Sequence, residues 1–310
     1  PPPRSTPKPS SAASDVYKRQ TPNAPAGLPS GPVPAGAFGV GAAVTKPACA
    51  EPPSNYSPLK VPGTVVKDID GLEAGTNHGR AADKYVYSAS VVNQWLEKPS
   101  TQPKNKKIVF VTFDDGPTTK FTGEQLDNLE KAGARATFFM IPPQMRDVGK
   151  NLLSRSLKMG NALAIHSYSH DYKYLYHGSA ANKAKHIGCD WDWAMAQSRA
   201  ILGSNYFSSA FRYPGGHMSW TNLSQADAAL AKRVVGWIDW NAMSGDADAQ
   251  RPTTVLGYLE MVKKSIKESN NPNVVVILNH DTYGKQMTAK AMPSILAWLK
   301  SQGYEFGVIA

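Results

Sequence analysis

Hydrophobic and polar positions along this 310-residue chain settle into a regular rhythm from Ile108 onward. Short apolar runs at 108–112, 135–140, 162–165, 209–213, 233–238 and 274–279 alternate with segments of helical character. Those segments predict helices over 123–132, 143–159, 190–202, 223–231, 255–268 and 289–299, with a last strand at 305–309. Strands that alternate with helices imply a parallel sheet flanked by helices, so the expected class is α/β. About seven such units over roughly 200 residues fit a distorted (β/α) barrel better than a short open sheet. No internal repeat is visible.

Before Ile108 the pattern is different. Thirteen of the 24 prolines fall in the first 53 residues, alongside Ala, Gly and Ser. Such a composition cannot bury enough apolar surface to offset its ordering entropy, so 1–53 reads as a disordered leader. Within it, 10–20 has no helical or strand period; it reads as a cloning or assembly scar and is set aside. Residues 54–107 form a flank expected to pack on the main domain, 108–310. In that flank, 85–96 suits a strand or a short helix, and 99–107 is a polar spacer.

Composition narrows the function classes. Hydrophobic content is 41%, mean hydropathy is −0.37, and no twenty-residue apolar span occurs, so a soluble chain without a transmembrane segment is expected. The first thirty residues contain no apolar core of a secretory signal. Net charge is +10, and the excess is spread: 13 basic against 7 acidic residues in 1–107, and 21 against 17 in 108–310. A nucleic-acid partner would want clustered Lys and Arg with interleaved aromatics, whereas a diffuse positive field suits an anionic polymer such as a cell wall. No nucleic-acid partner is expected. The two cysteines, Cys49 and Cys189, exclude a disulfide framework and a thiolate zinc cluster. A single bridge between them and two unpaired thiols both remain open. Ala48-Cys49-Ala50 also raises a lipid anchor, against which Pro47 is badly placed.

Chemistry concentrates at strand ends. Thr112-Phe-Asp-Asp-Gly-Pro117 follows an apolar strand, His166-Ser-Tyr-Ser-His170 follows a second, and Ile277-Leu-Asn-His-Asp281 repeats the design. Alone, Asp-Asp-Gly-Pro is an ordinary turn, and two histidines four residues apart are as readily a solvated pair as a metal site. If 166–170 forms one helical turn, both imidazoles reach one cation. Two imidazoles and one carboxylate then make an open facial site, which suits catalytic zinc. Neighbours in an extended chain point to opposite sides, so one carboxylate faces the cation and the other is free to act as base. A guanidinium would keep that base ionised, and Arg212 is the candidate. The Pro-Gly-Gly after Tyr213 sets a tight turn whose amides could bind an oxyanion. His280 is read as a proton donor, with Leu278 available to line an acyl pocket. A satisfied core histidine is the alternative.

These pieces, in this order, resemble the polysaccharide deacetylase family, carbohydrate esterase family four. The resemblance runs from about Ile108 to Ala310 on Thr112–Pro117, His166–His170, Arg212-Tyr-Pro-Gly-Gly216 and Leu278-Asn-His280. A fourth motif, Trp240-Asn-Ala-Met-Ser-Gly-Asp246-Ala247, supplies the family's Asp but has Ala247 where many members carry Trp. The resemblance implies that Asp115, His166 and His170 hold a divalent metal, most often Zn2+, with Co2+ or Mn2+ as substitutes. It further implies Asp114 as base, Arg212 as its tether and the Tyr213 amide as oxyanion donor. His280, tuned by Asp246, would be the acid, with Asp281 a rival for the tuning role. One pocket wall would come from Trp237, Trp240 or Trp220, and Tyr168, Tyr172 and Trp220 are candidate sugar-stacking faces. The bacterial branch acting on N-acetylglucosamine of peptidoglycan is the most similar, with chitin or chitooligosaccharides as the alternative. Release of acetate by an extracellular or cell-surface monomer is therefore expected. A binding module on a disabled enzyme fold is the competing class.

Overall fold

The structure, a computed structural model, describes Cys49 and residues 65–310. Within it, strand β1 (Val86–Tyr87) precedes the organising strand β2 (Lys107–Gly116). Then come β3 (Ala136–Met140), β4 (Ala162–Ile165), β5 (Ala210–Phe211), β6 (Gly236–Trp237), β7 (Ala242–Met243) and β8 (Val274–His280). Two short strands, β9 (Tyr304–Phe306) and β10 (Val308–Ile309), close the chain.

Seven strands in the order β6-β5-β4-β3-β2-β8-β7, all paired in parallel, make a curled half-barrel, and β9 adds to the start of β2. β2 is central because Ile108 to Asp114 are buried without a break, as a strand covered on both faces requires. Alternate side chains sort into two cores. Val109, Val111 and Phe113 face the helix layer with Leu126, Leu129 and Leu296. Ile108 and Phe110 face the hollow of the half-barrel with Phe139, Val276 and Leu278. The helix Ala89–Glu97, N-capped by Ser88, adds Ala89 and Val92 to that inner cluster, and β1 pairs with β10 beside it. The segment 85–96 is thus a strand and a helix in turn.

Several boundaries moved, each for a local reason. The helix expected over 143–159 is split into Met145–Val148 and Lys150–Lys158 at Gly149, whose φ is +75°. The helix expected over 190–202 is the latter half of Ala180–Leu202, which begins at the Ser179 cap. The strand expected over 233–238 shrinks to β6, since Arg233, Val234 and Val235 bond back onto the preceding helix and its exit turn. β7 was not foreseen, because two residues in a polar context give no run. The final strand divides at Gly307, where a Cβ would stand 2.7 Å from the Phe110 ring.

Cys49 and Cys189 are joined in a disulfide with a Cα–Cα distance of 5.2 Å. That settles the open pairing and removes the Cys49 thiol as a lipid attachment point. The rest of the leader 1–53, the segment 10–20 and residues 54–64 lie outside the described residues. Among the described residues, no helix is long and apolar enough to cross a membrane.

Candidate metal and catalytic site

β2 does not stay extended to its end. Its register with β3 shifts between Asp114 and Gly116, and Asp115 adopts φ +68°, a left-handed conformation. The expectation that Asp114 and Asp115 point to opposite sides fails for this reason. The bulge turns both carboxylates into one hollow, with His166 Nε2 3.3 Å from Asp115 Oδ1 and 3.9 Å from Asp114 Oδ2.

The loop after β4 brings in the two histidines, though not as a helical turn: 166–170 is irregular, and His170 has φ +48°. His170 Nε2 lies 3.1 Å from Asp115 Oδ1, and the imidazole centroids are 5.0 Å apart. His166 Nδ1 is 2.8 Å from the Arg212 carbonyl. A carbonyl only accepts, so the proton sits on Nδ1 and the Nε2 lone pair faces the hollow.

Asp115, His166 and His170 offer ligand atoms that all lie within 4.8 Å of one another. Among the described residues, Asp115 Oδ1 is buried without a hydrogen-bond partner, an orphan acceptor aimed between two imidazole nitrogens. Burial raises the Asp115 carboxyl, and the two histidines outweigh that and hold it well below its ordinary range. His170 is lowered by burial and raised more by Asp115, for a net rise. Two imidazoles and one ionised carboxylate, with His170 and Asp115 partly exposed, are the donor set of a divalent metal with exchangeable positions. The residues fit such an ion.

Asp114 faces the same hollow from the inner side of β2. Arg212, following β5, is fully buried and donates from Nη1 to Asp114 Oδ1 at 2.8 Å and to Thr112 Oγ1 at 2.6 Å. Its Nε and Nη2 reach the carbonyls of Ile238 and Asp239, while Phe139 and Trp240 flank the guanidinium plane. Tyr213 then opens a turn in which Gly215 and Gly216 take φ of +77° and +82°. That turn is fixed from behind by Asp239, which accepts the N–H groups of His217 and Met218, and by Asp227, which takes the Tyr213 hydroxyl at 2.8 Å.

At the end of β8, His280 Nδ1 is 2.8 Å from Asp246 Oδ1, and its backbone N–H donates to Asp246 Oδ2. Thr288 Oγ1 donates to the same carboxylate, and Lys285 Nζ to the Asp246 carbonyl. Burial would lower His280, but Asp246 raises it to about 9, leaving an imidazolium at neutral pH. The sequence rival, Asp281, points elsewhere. It takes the Thr122 hydroxyl at 2.5 Å beneath Gly116, and burial first, then Asp115 and Asp114, raise it to about 7.

The four substrate-pocket candidates divide. Leu278 is buried on the inner face of β8, in the cluster that holds Phe110 and Phe139. Trp240 is also buried, packed over Gly216 and beside Arg212, and so backs the guanidinium. Trp220 stacks on Tyr176 at 3.9 Å and donates to the Pro214 carbonyl, with Tyr172 at its edge. Tyr168 leans on Trp193. Sequence reasoning missed Asp190, Asp239, Lys285 and Thr288. A signal existed for Asp190: Cys189-Asp-Trp-Asp-Trp193 sets carboxylates between large apolar residues inside a helical segment.

The family model for polysaccharide deacetylases matches residues 101–233. A putative polysaccharide deacetylase, YheN, of Bacillus subtilis is 33% identical over 213 residues, covering 67% of this chain and 69% of that protein. A peptidoglycan-N-acetylglucosamine deacetylase of Bacillus cereus is 28% identical over 204 residues, covering 66% of this chain and 69% of its own. Among solved structures, a Streptococcus mutans CE4 esterase superposes with a TM-score of 0.69 at 38% identity, covering 79% of this chain and 100% of that one.

Proposed function

Since the chain belongs to the polysaccharide deacetylase family and is a deacetylase hydrolase, we propose that it removes the N-acetyl group from N-acetylglucosamine of peptidoglycan with a divalent metal, zinc. The observation that carries the metal is the buried, unpartnered Asp115 Oδ1 between His166 Nε2 and His170 Nε2. The ion held by Asp115, His166 and His170 would supply Lewis acidity, polarising the acetyl carbonyl and making water more acidic.

The chain's own groups then divide the proton work. Asp114, held in place by the Arg212 guanidinium, takes a proton from water as the water oxygen bonds to the acetyl carbon. The negative charge that develops on the carbonyl oxygen is met by the Tyr213 backbone N–H at the head of the Pro-Gly-Gly turn. The carbon–nitrogen bond breaks as His280, protonated and oriented by Asp246, gives its proton to the departing nitrogen. Acetate and a glucosamine amine result. Leu278 lines the acetyl methyl, and Tyr172, Trp220 and Tyr168 face the sugar.

Peptidoglycan is favoured over chitin by the likeness to the Bacillus cereus protein and by the net charge of +10, which suits an anionic wall. The Cys49–Cys189 disulfide supports an extracellular or cell-surface location, because such bonds persist in oxidising compartments. The presence of every ligand and proton-transfer residue argues against a non-catalytic binding module. The test is to measure acetate and new amine groups from N-acetylated peptidoglycan beside chitooligosaccharides. Faster release from peptidoglycan supports the reading, and release from chitooligosaccharides alone overturns the substrate.

A further inference from the structure

The loop that carries the two histidines is held by a carboxylate that touches neither of them. Asp190 projects from the helix Ala180–Leu202 and is fully buried. Its Oδ1 accepts the Ser167 hydroxyl at 2.7 Å and the Tyr168 N–H at 2.7 Å, and its Oδ2 accepts the Ser169 N–H at 2.9 Å. A carboxylate only accepts, so Ser167 must donate to it, which leaves the Ser167 oxygen free to accept the His170 N–H at 2.8 Å. Every backbone N–H from Tyr168 to His170 therefore ends on Asp190 or on the hydroxyl that Asp190 orients.

That arrangement has work to do. A non-glycine residue at φ +48° is strained and persists only where its surroundings over-determine it. His166 is fixed independently, through Nδ1 on the Arg212 carbonyl. Among the described residues, the His170 imidazole has no equivalent anchor beyond Asp115, so its direction comes from its backbone. We propose that Asp190 is a positioning residue for the metal site, acting through Ser167 to set the left-handed turn that aims His170 at the ion. It is not a ligand. A residue that merely filled space in the helix layer would leave metal affinity alone, whereas groups that orient ligands typically change it by about 10–100-fold.

The inference rests on the metal reading above, and the test separates the two. Zinc affinity of the chelator-stripped full chain is measured by competition with a coloured chelator for wild type, Asp190→Asn and Ser167→Ala. Asp190→Asn keeps the shape but faces the Ser169 N–H with another donor, and zinc binding is expected to weaken about 10-fold or more. Ser167→Ala removes the relay to His170 and is expected to weaken it similarly, with native circular dichroism retained. Wild-type affinity in both folded variants overturns the positioning role while leaving the metal site intact. If Asp190→Asn does not fold, Ser167→Ala decides alone by the same criterion. If wild type binds no zinc, the metal reading itself fails, and the role of Asp190 with it.

Discussion

Arg212 donates to Asp114 across 2.8 Å with both side chains buried, the guanidinium fully enclosed and the carboxylate side chain 4% exposed. The pair joins the strand that carries Asp114 and Asp115 to the Tyr213–Gly216 turn, whose amide is proposed to meet the oxyanion. Removing one partner would strand a charge in the hollow of the half-barrel. Arg212→Met should therefore cost about 3–5 kcal/mol of stability, while the double change Arg212→Met with Asp114→Asn should cost less than the single one. Chemical denaturation of the three variants checks this, and an Arg212→Met protein as stable as wild type would count against it.

Asp114 and the histidines should separate binding from turnover. Asp114→Asn is expected to retain zinc and lose about 100–10,000-fold in acetate release, the range for removing a general base. His170→Ala is expected to lose both. Metal content and acetate release measured on the same preparations decide, and full activity in Asp114→Asn removes the proposed base.

The Asp246–His280 pair makes a signed prediction about pH. The folded pKa of His280 is raised to about 9 from 6.5, so the pair stabilises the metal-free protein fully below about pH 6.5 and loses that contribution as pH rises through about 9. Asp246→Asn should flatten this decline and move the His280 titration down toward its ordinary value. Denaturation across that window, with NMR titration of the imidazole, tests it; an unchanged His280 titration in the variant would refute the assignment.

Gly116 is fixed by close approach. A Cβ there would sit 2.2 Å from Asp281 Oδ1. Gly116→Ala should cost about 1–3 kcal/mol from overpacking and, by displacing Asp115, about 100-fold in acetate release. Melting temperature and turnover read the two effects separately, and near-wild-type turnover would show that the bulge tolerates the shift.

Much of this was legible in the sequence, for identifiable reasons. β2 and β8 announce themselves because strands buried on both faces are continuous apolar runs, and Asp114, Asp115 and His280 fall at their ends. The Arg212 contact with Asp114 was expected from the need to keep a base ionised. The geometry at Asp115 was not, since a bulge with positive φ breaks the alternation on which the strand argument depends. Nor was the shape of 166–170, because its turn is dictated by Asp190, a residue in a helix whose start sequence reasoning placed ten residues late. Trp240 was one of three candidates for a pocket wall, with Trp237 and Trp220, and its contact with the Arg212 guanidinium was not foreseen. Contacts of this kind depend on chain crossings that local pattern does not encode.

The most direct test of the account is a zinc titration of the chelator-stripped protein while acetate release from N-acetylated peptidoglycan is followed. The account predicts negligible release without metal and a rise that saturates at about one zinc per chain, the capacity of a single Asp-His-His site. Undiminished release from the stripped protein would contradict it.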